Sequence, residues 1–287
     1  IVWDLAGNVL LVLCSLLIGL IERLTGWLAN MGGVLYLPPM NLPAGILYYL
    51  LLFYLFGYRP PGWLSPKDYL KRYPTAFLTV IILAVTVVTV YYRWPRPVEV
   101  HFIDVGQGDA ALIMTPRRQA VLIDSGGTAG SDFDIGERVV LPYLKHQGVR
   151  RLESLILTHG HEDHAGGAAA VLRSMPVGTL IIAQDAASPA VQAALRSFTG
   201  TVVPAHFGQE IIVDGVRFTV VHAATAHAAN NNETSIVIRV NYGNHSFLFT
   251  GDLPASGEHE LVRKGLAACT VLKVAHHGAK TSTSQEF

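Results

Sequence analysis

Residues 158–167 read Thr-His-Gly-His-Glu-Asp-His-Ala-Gly-Gly, placing four metal-ligand types, His159, His161, Asp163 and His164, within six positions. Crowding imidazoles and a carboxylate together is unfavourable unless a cation organises them. This stretch must therefore be a tight loop that aims several side chains at common points. The buried-strand pattern Ser154-Leu-Ile-Leu-Thr158 precedes it, and an Ala-rich helical pattern over 165–174 follows. At such a strand-to-helix junction the alternate residues 159 and 161 converge on one cation. After the turn, Asp163 and His164 face a second. Imidazole with carboxylate suits Zn, Mn or Fe rather than Ca.

Two later segments end on the same residue types. Phe247-Leu-Phe-Thr-Gly-Asp252 is an apolar strand closing on a carboxylate able to bridge two cations, and Leu272-Lys-Val-Ala-His276-His277-Gly278 closes on a pair of imidazoles. A carboxylate at a strand end is ordinarily a turn or cap residue. Its place between two His-bearing strand ends makes Asp252 a ligand candidate, and His276 with it. Two divalent ions ~3.5–4 Å apart polarise a scissile ester and generate a nucleophile from water near neutral pH. Hydrolysis is the expected chemistry, with Asp163, Asp252, His276 and His277 as catalytic candidates. Strands expected at 98–104, 111–114, 120–124, 154–158, 179–183, 211–213, 216–222, 235–241, 246–250 and 270–275, with a helix at 135–147, argue for an α/β sandwich rather than a doubly wound sheet.

Composition divides the chain at about residue 97. All twelve His lie in 98–287 with 14 Lys+Arg and 18 Asp+Glu, whereas 1–97 holds seven Lys+Arg, three Asp+Glu and no His. Residues 98–287 are enough for a domain with its own core. Residues 1–97 contain three apolar stretches, 5–28, 44–58 and 75–92, expected to be transmembrane helices. Tyr36, Tyr48, Tyr49, Trp63, Tyr91, Tyr92 and Trp94 lie near their ends, as interfacial aromatics do. The first stretch lacks the basic start of a signal peptide, and opening on Ile1 within an apolar run is expected of a fragment. Arg59, Lys67, Lys71 and Arg72 against Asp68 put 59–74 in the cytoplasm and the domain after residue 97 outside; Arg93 and Arg96 pull the other way. Pro95 and Pro97 mark the linker, and the two Cys, Cys14 and Cys269, form no zinc motif.

Taken together, Phe102-Ile-Asp-Val-Gly-Gln-Gly-Asp-Ala110, Leu122-Ile-Asp-Ser-Gly-Gly127, the His cluster, Asn231-Asn-Glu-Thr-Ser-Ile-Val-Ile, Leu248-Phe-Thr-Gly-Asp252 and Val271-Leu-Lys-Val-Ala-His-His-Gly-Ala-Lys-Thr-Ser282 resemble the metallo-β-lactamase superfamily, and within it the ComEC family of competence proteins. The apolar first third, with Leu37-Pro38-Pro39, fits the same family. The resemblance implies a four-layer αββα hydrolase domain (98–287) joined to the end of an integral-membrane competence domain (1–97) in the bacterial cytoplasmic membrane. It implies a multi-pass DNA-uptake channel for natural transformation, whose hydrolase domain degrades the non-transported strand as a phosphodiesterase. The implied partners are single-stranded DNA, membrane lipid, the DNA-uptake machinery and further copies of the chain. By position, His159 and His161 hold metal 1, Asp163, His164 and His276 hold metal 2, and Asp252 bridges; both ions are divalent, Zn or Mn. Asp109 and Asp124 read as structural or supporting residues.

Several features depart from the family pattern. Many ComEC-like domains carry Asp where this chain has His161, so the full superfamily motif favours metal binding. The third metal-1 His is replaced by the Asn231–Asn232 segment, with His227 nearby. The chain stops at Phe287, before the family's closing strand and final His motif. Residues 98–287 sum to 14 − 18 = −4, opposite in sign to a basic nucleic-acid footprint. Two other readings stay open. One is a membrane-anchored hydrolase of another phosphoester, such as cell-wall choline-phosphate; the other is a non-catalytic DNA-binding domain.

Overall fold

The computed structural model describes residues 11, 14–25, 27, 42–56, 62, 64–94, 96–130, 132–184, 187–224 and 231–287. Tyr36, Leu37-Pro38-Pro39, Arg59, Trp63, Pro95 and His227 lie outside them. The chain forms two units, 1–39 and 40–287. Within the first, residues 14–25 are helical. The second begins with three helices, α1 (Leu42–Leu55), α2 (Pro66–Arg72) and α3 (Pro74–Arg93). Ser65 caps α2, its Oγ accepting from the Asp68 amide, and prolines occupy the first turns of α2 and α3, where no amide partner is needed.

Among the described residues no helix is long and apolar enough to cross a membrane. The span expected at 44–58 falls short in length: α1 has 14 residues, about 21 Å at 1.5 Å per residue against a hydrocarbon core of about 30 Å, whereas the span expected at 5–28 lies partly outside the described residues. On α3, the described side chains of Leu78, Val80, Ile82, Leu83 and Val85 are exposed and apolar.

Residues from Glu99 onward build two sheets. The first has the order β1 (Glu99–Phe102), β2 (Ala111–Met114), β3 (Ala120–Ile123), β4 (Leu152–Leu157), β5 (Val177–Ile182), β6 (Thr201–Pro204). Its first three strands are antiparallel and β3 to β6 run parallel. The second sheet uses β7 (Glu210–Val213), β8 (Val216–His222), β9 (Val237–Tyr242), β10 (His245–Phe249) and β11 (Val271–Lys273) in the order β11-β10-β9-β8-β7. Only β10 and β11 pair in parallel.

Alternation along the strands of the first sheet separates two cores. Leu112, Leu122, Leu155 and Leu180 sit side by side in register and are fully buried toward the helices. Each contributes about 1.5–3 kcal/mol of burial. These helices are a π-turn at Gly136–Val140 running into α4 (Leu141–His146), with α6 (Ala168–Ser174) and α7 (Pro189–Arg196); the four-residue α5 (Glu162–Ala165) precedes α6. On the opposite face Ile113, Val121, Ile123, Ile156 and Ile181 pack against Phe218, Val220, Ile238, Val240 and Phe249 of the second sheet. Behind that sheet, Leu253 and Leu261 of the segment carrying α8 (Ala255–Arg263) cover Val237 and Leu248. The expected αββα layering is present. Strand β6 and helices α7 and α8 were not anticipated.

Candidate metal centre

Strand ends from both sheets meet at one edge of the seam. At the end of β3, Asp124 takes a left-handed turn (φ 58°), a conformation Asp tolerates better than most residues. Its carboxylate accepts from the Thr158 amide at 2.8 Å and the Thr158 hydroxyl at 2.7 Å, which fixes the exit of β4 into the His-rich loop. Asp124 Oδ2 also lies 2.8 Å from His164 Nδ1. One buried carboxylate thus sets both the loop and the orientation of the imidazole: Nδ1 is turned to Asp124 and Nε2 toward Asp252, the side on which a cation would bind. The loop is held from outside by two close backbone approaches. Gly108 (φ 146°) and Gly127 (φ 155°) have no room for a Cβ, which would fall 2.4 Å from the Asp163 carbonyl oxygen and 2.0 Å from that of Glu162.

Two groups of ligand atoms result. His159, His161 and Asp252 form one; Asp109, His164, Asp252 and His277 form the other, each group lying within 4.8 Å. Asp252 is common to both and is buried, 1% exposed. His159 Nε2 lies 3.1 Å from His161 Nδ1 and 3.8 Å from Asp252 Oδ2. His164 Nε2 lies 3.0 Å from Asp252 Oδ1, yet both atoms are buried without a hydrogen-bond partner. Bonds of 2.0–2.2 Å to one cation place neighbouring ligand atoms about 3–3.5 Å apart, aimed at the ion rather than at each other. Two orphaned buried atoms at this separation therefore fit a divalent ion. So does the mixed imidazole and carboxylate donor set.

The charges agree with an anionic hub among imidazoles. Burial pushes the Asp252 carboxyl up, but the closeness and charge of His164, aided by His159 and His277, hold it well below the ordinary carboxylate range. Burial works against a charge on His164, yet Asp124 and Asp252 push its pKa up to about 11. An ion at Nε2 must displace that proton. Burial and the neighbouring His164 keep His159 well below the ordinary imidazole value, which favours the neutral ring with one unprotonated nitrogen to offer a cation. Burial raises Asp124, against His164 and Thr158.

His159, His161, His164 and Asp252 thus lie close together. Asp163 stands outside both groups at the mouth, its Oδ2 3.2 Å from His277 Nε2. His276 also stands outside both, with Nε2 3.8 Å from Asp252 Oδ2 and Nδ1 3.4 Å from the Thr281 hydroxyl. His277 is the one that joins the second group. The cause is local: His276 (φ 49°), His277 (φ 52°) and Gly278 (φ 80°) are consecutive left-handed residues, so the chain reverses after β11 and carries the second imidazole inward. Asp109, expected as a structural or supporting residue, lies within the second group. Its signal is the Gly-Asp at the end of the turn before β2, a carboxylate at a strand end like the others. The Asn231–Thr234 3-10 turn places Ser235 so that its Oγ accepts from the Asp252 amide at 3.2 Å.

The model of the metallo-β-lactamase superfamily matches residues 103–287. ComE operon protein 3 of Bacillus subtilis is 34% identical over 206 residues, 66% of this chain and 26% of its own length. Recombination protein 2 of Haemophilus influenzae is 34% identical over 208 residues, 71% of this chain and 24% of its own. Competence protein ComA of Neisseria gonorrhoeae is 34% identical over 186 residues, 64% of this chain and 24% of its own. The chain thus spans about a quarter of the length of these relatives. It belongs to the metallo-β-lactamase superfamily and, within it, to the ComEC family of competence proteins.

Proposed function

We propose that this chain is part of a DNA-uptake protein whose domain after residue 97 hydrolyses phosphodiester bonds of DNA. The observation that carries the hydrolytic half is the buried carboxylate of Asp252, shared by two groups of ligand atoms and carrying an orphaned oxygen. The DNA half is supported by the competence and recombination names of the relatives.

His159 and His161 would hold one divalent ion, His164 and His277 the other, and Asp252 both. Zinc or manganese bound there would supply Lewis acidity at a phosphoryl oxygen and a more acidic water. Asp163, part-exposed beside His277, would accept a proton at Oδ2. His276, also at the mouth, is placed to donate one from Nε2 to the leaving oxygen. The domain's net charge of 14 − 18 = −4 opposes DNA approach, so bound cations serve attraction as well as chemistry.

In this reading the apolar side chains of α3 are covered by lipid or by helices of the remaining protein, as a multi-pass protein of the bacterial cytoplasmic membrane with the hydrolase domain outside. A single DNA strand passes inward while its complement is degraded. The rest of the uptake machinery, and further copies of the chain, are the protein partners.

The test is cleavage of single-stranded DNA by the purified chain with manganese or zinc. Asp252→Ala is expected to lower the rate by on the order of a thousandfold, or ~4 kcal/mol in the barrier. Unchanged cleavage would sink the proposal. Hydrolysis of choline-phosphate esters in preference to DNA would move the substrate to the cell wall.

A further inference from the structure

Behind His164, on the side away from Asp252, stands a carboxylate: Asp124, 2.8 Å from Nδ1. His277 has a longer-range counterpart with a different residue. Its Nε2 faces Asp163 Oδ2 at 3.2 Å and Asp252 Oδ2 at 3.8 Å, while its Nδ1 faces Asp109 Oδ1 at 3.4 Å. The second oxygen of Asp109 accepts from Lys273 Nζ at 2.6 Å, and Lys273 also donates to the Val274 carbonyl at 3.0 Å. The backbone of Asp109 is fixed as well: its amide donates to the Asp163 carbonyl at 3.1 Å and its carbonyl accepts from the Gly126 amide at 2.8 Å.

We propose that Asp109, restrained by Lys273, is the carboxylate that orients His277 toward the second ion, as Asp124 orients His164. A carboxylate behind a ligating imidazole selects the tautomer, fixes the ring plane and raises the basicity of the inward nitrogen. Position argues for this role over direct ligation. Asp109 Oδ2 lies 4.0 Å from His164 Nδ1, so the carboxylate sits on the outward side of both rings. Its charge is already matched by Lys273. The arrangement also accounts for the Gly-Gln-Gly-Asp turn at 106–109: only a residue without Cβ at 108 lets the turn touch the Asp163 carbonyl and deliver Asp109 behind His277. Lys273 and His277 leave the same strand end, so β11 brings the imidazole together with the cation that holds its carboxylate.

This inference rests on the two-ion reading of the centre and not on the identity of the substrate. The test is manganese binding to the full chain in detergent, with number of ions and affinities measured by chelator competition. Asp109→Asn and Lys273→Met are each expected to weaken the second ion about 10- to 100-fold while the first keeps its affinity. In a His277→Ala background, Asp109→Asn should cause no further loss, because it acts through the missing ring. A further loss there would make Asp109 a ligand in its own right and overturn the proposal. Undiminished second-ion binding in both single variants would overturn it too. Wild type binding one ion would overturn it together with the two-ion reading. If Asp109→Asn fails to fold, Lys273→Met with and without His277→Ala carries the same comparison.

Discussion

His222 closes β8 with a ring that is 9% exposed. Burial holds its pKa below the ordinary imidazole value; Glu260 opposes this and Lys264 adds to it. The unfolded chain, titrating near ~6.5, then binds the proton more readily than the fold does. The stability contributed by the neutral ring is complete above that pH and is lost as pH falls through the lower folded value. Between about pH 7.5 and about pH 5, wild type should lose unfolding free energy relative to His222→Gln, with a slope no steeper than about 1.4 kcal/mol per pH unit. Denaturant unfolding across that range measures it, and a flat difference would remove His222 from the acid response. At this scale the sequence was informative where residue type decides the matter, as for His159, His161, His164 and Asp252. It was silent where backbone torsion decides. Nothing in the pair His276-His277 says which ring turns inward, because that depends on left-handed φ values at both.

Helix α7 shows how an element that carries no ligand supports the centre. Ser188 caps it, accepting from the Val191 amide at 3.2 Å, and Pro189 opens its first turn. The same Ser188 lies against Gly160, between His159 and His161. A Cβ at 160 would fall 2.6 Å from Ser188 Oγ and 2.7 Å from its Cβ. Gly160→Ala should therefore destabilise the protein by about 1–3 kcal/mol through overpacking. Adding Ser188→Gly, itself worth only a few tenths as a cap change, should return part of that. Denaturation midpoints of the single and double variants check this; additive losses would place the strain elsewhere. The strands that feed the centre were legible because apolar runs such as Leu155-Ile-Leu and Phe247-Leu-Phe end on ligand types. Strand β6 was not, since Thr201–Pro204 is four residues closed by a proline. Helix α7 is only eight residues long and buries small side chains, Ala190, Val191 and Ala194.

Across the whole molecule the centre joins the two sheets. His159, His161 and His164 follow β4 of the first sheet, whereas Asp252 and His277 follow β10 and β11 of the second. An ion bound by both groups therefore opposes separation of the layers and stabilises the fold by mass action, by about 2.7 kcal/mol per site at a hundredfold excess over Kd. Chelation should lower the melting temperature of this domain by roughly 5–10 °C for each ion removed, read by calorimetry with and without metal. No shift would mean that the ligands bind nothing, or bind equally well in the unfolded chain. The layered plan was readable from the alternation of apolar strands with helical stretches. The location of the ligands on both sides of the seam was not, since strand order alone assigns each strand to its sheet. That split has a consequence for synthesis. The first sheet is complete at residue 204 and the second begins at residue 210. A ribosome that has not yet passed residue 252 thus exposes a nascent first half whose imidazoles lack their shared carboxylate, and one short of residue 277 still lacks the final ring. Both groups of ligand atoms are complete only once strands of both sheets have been made.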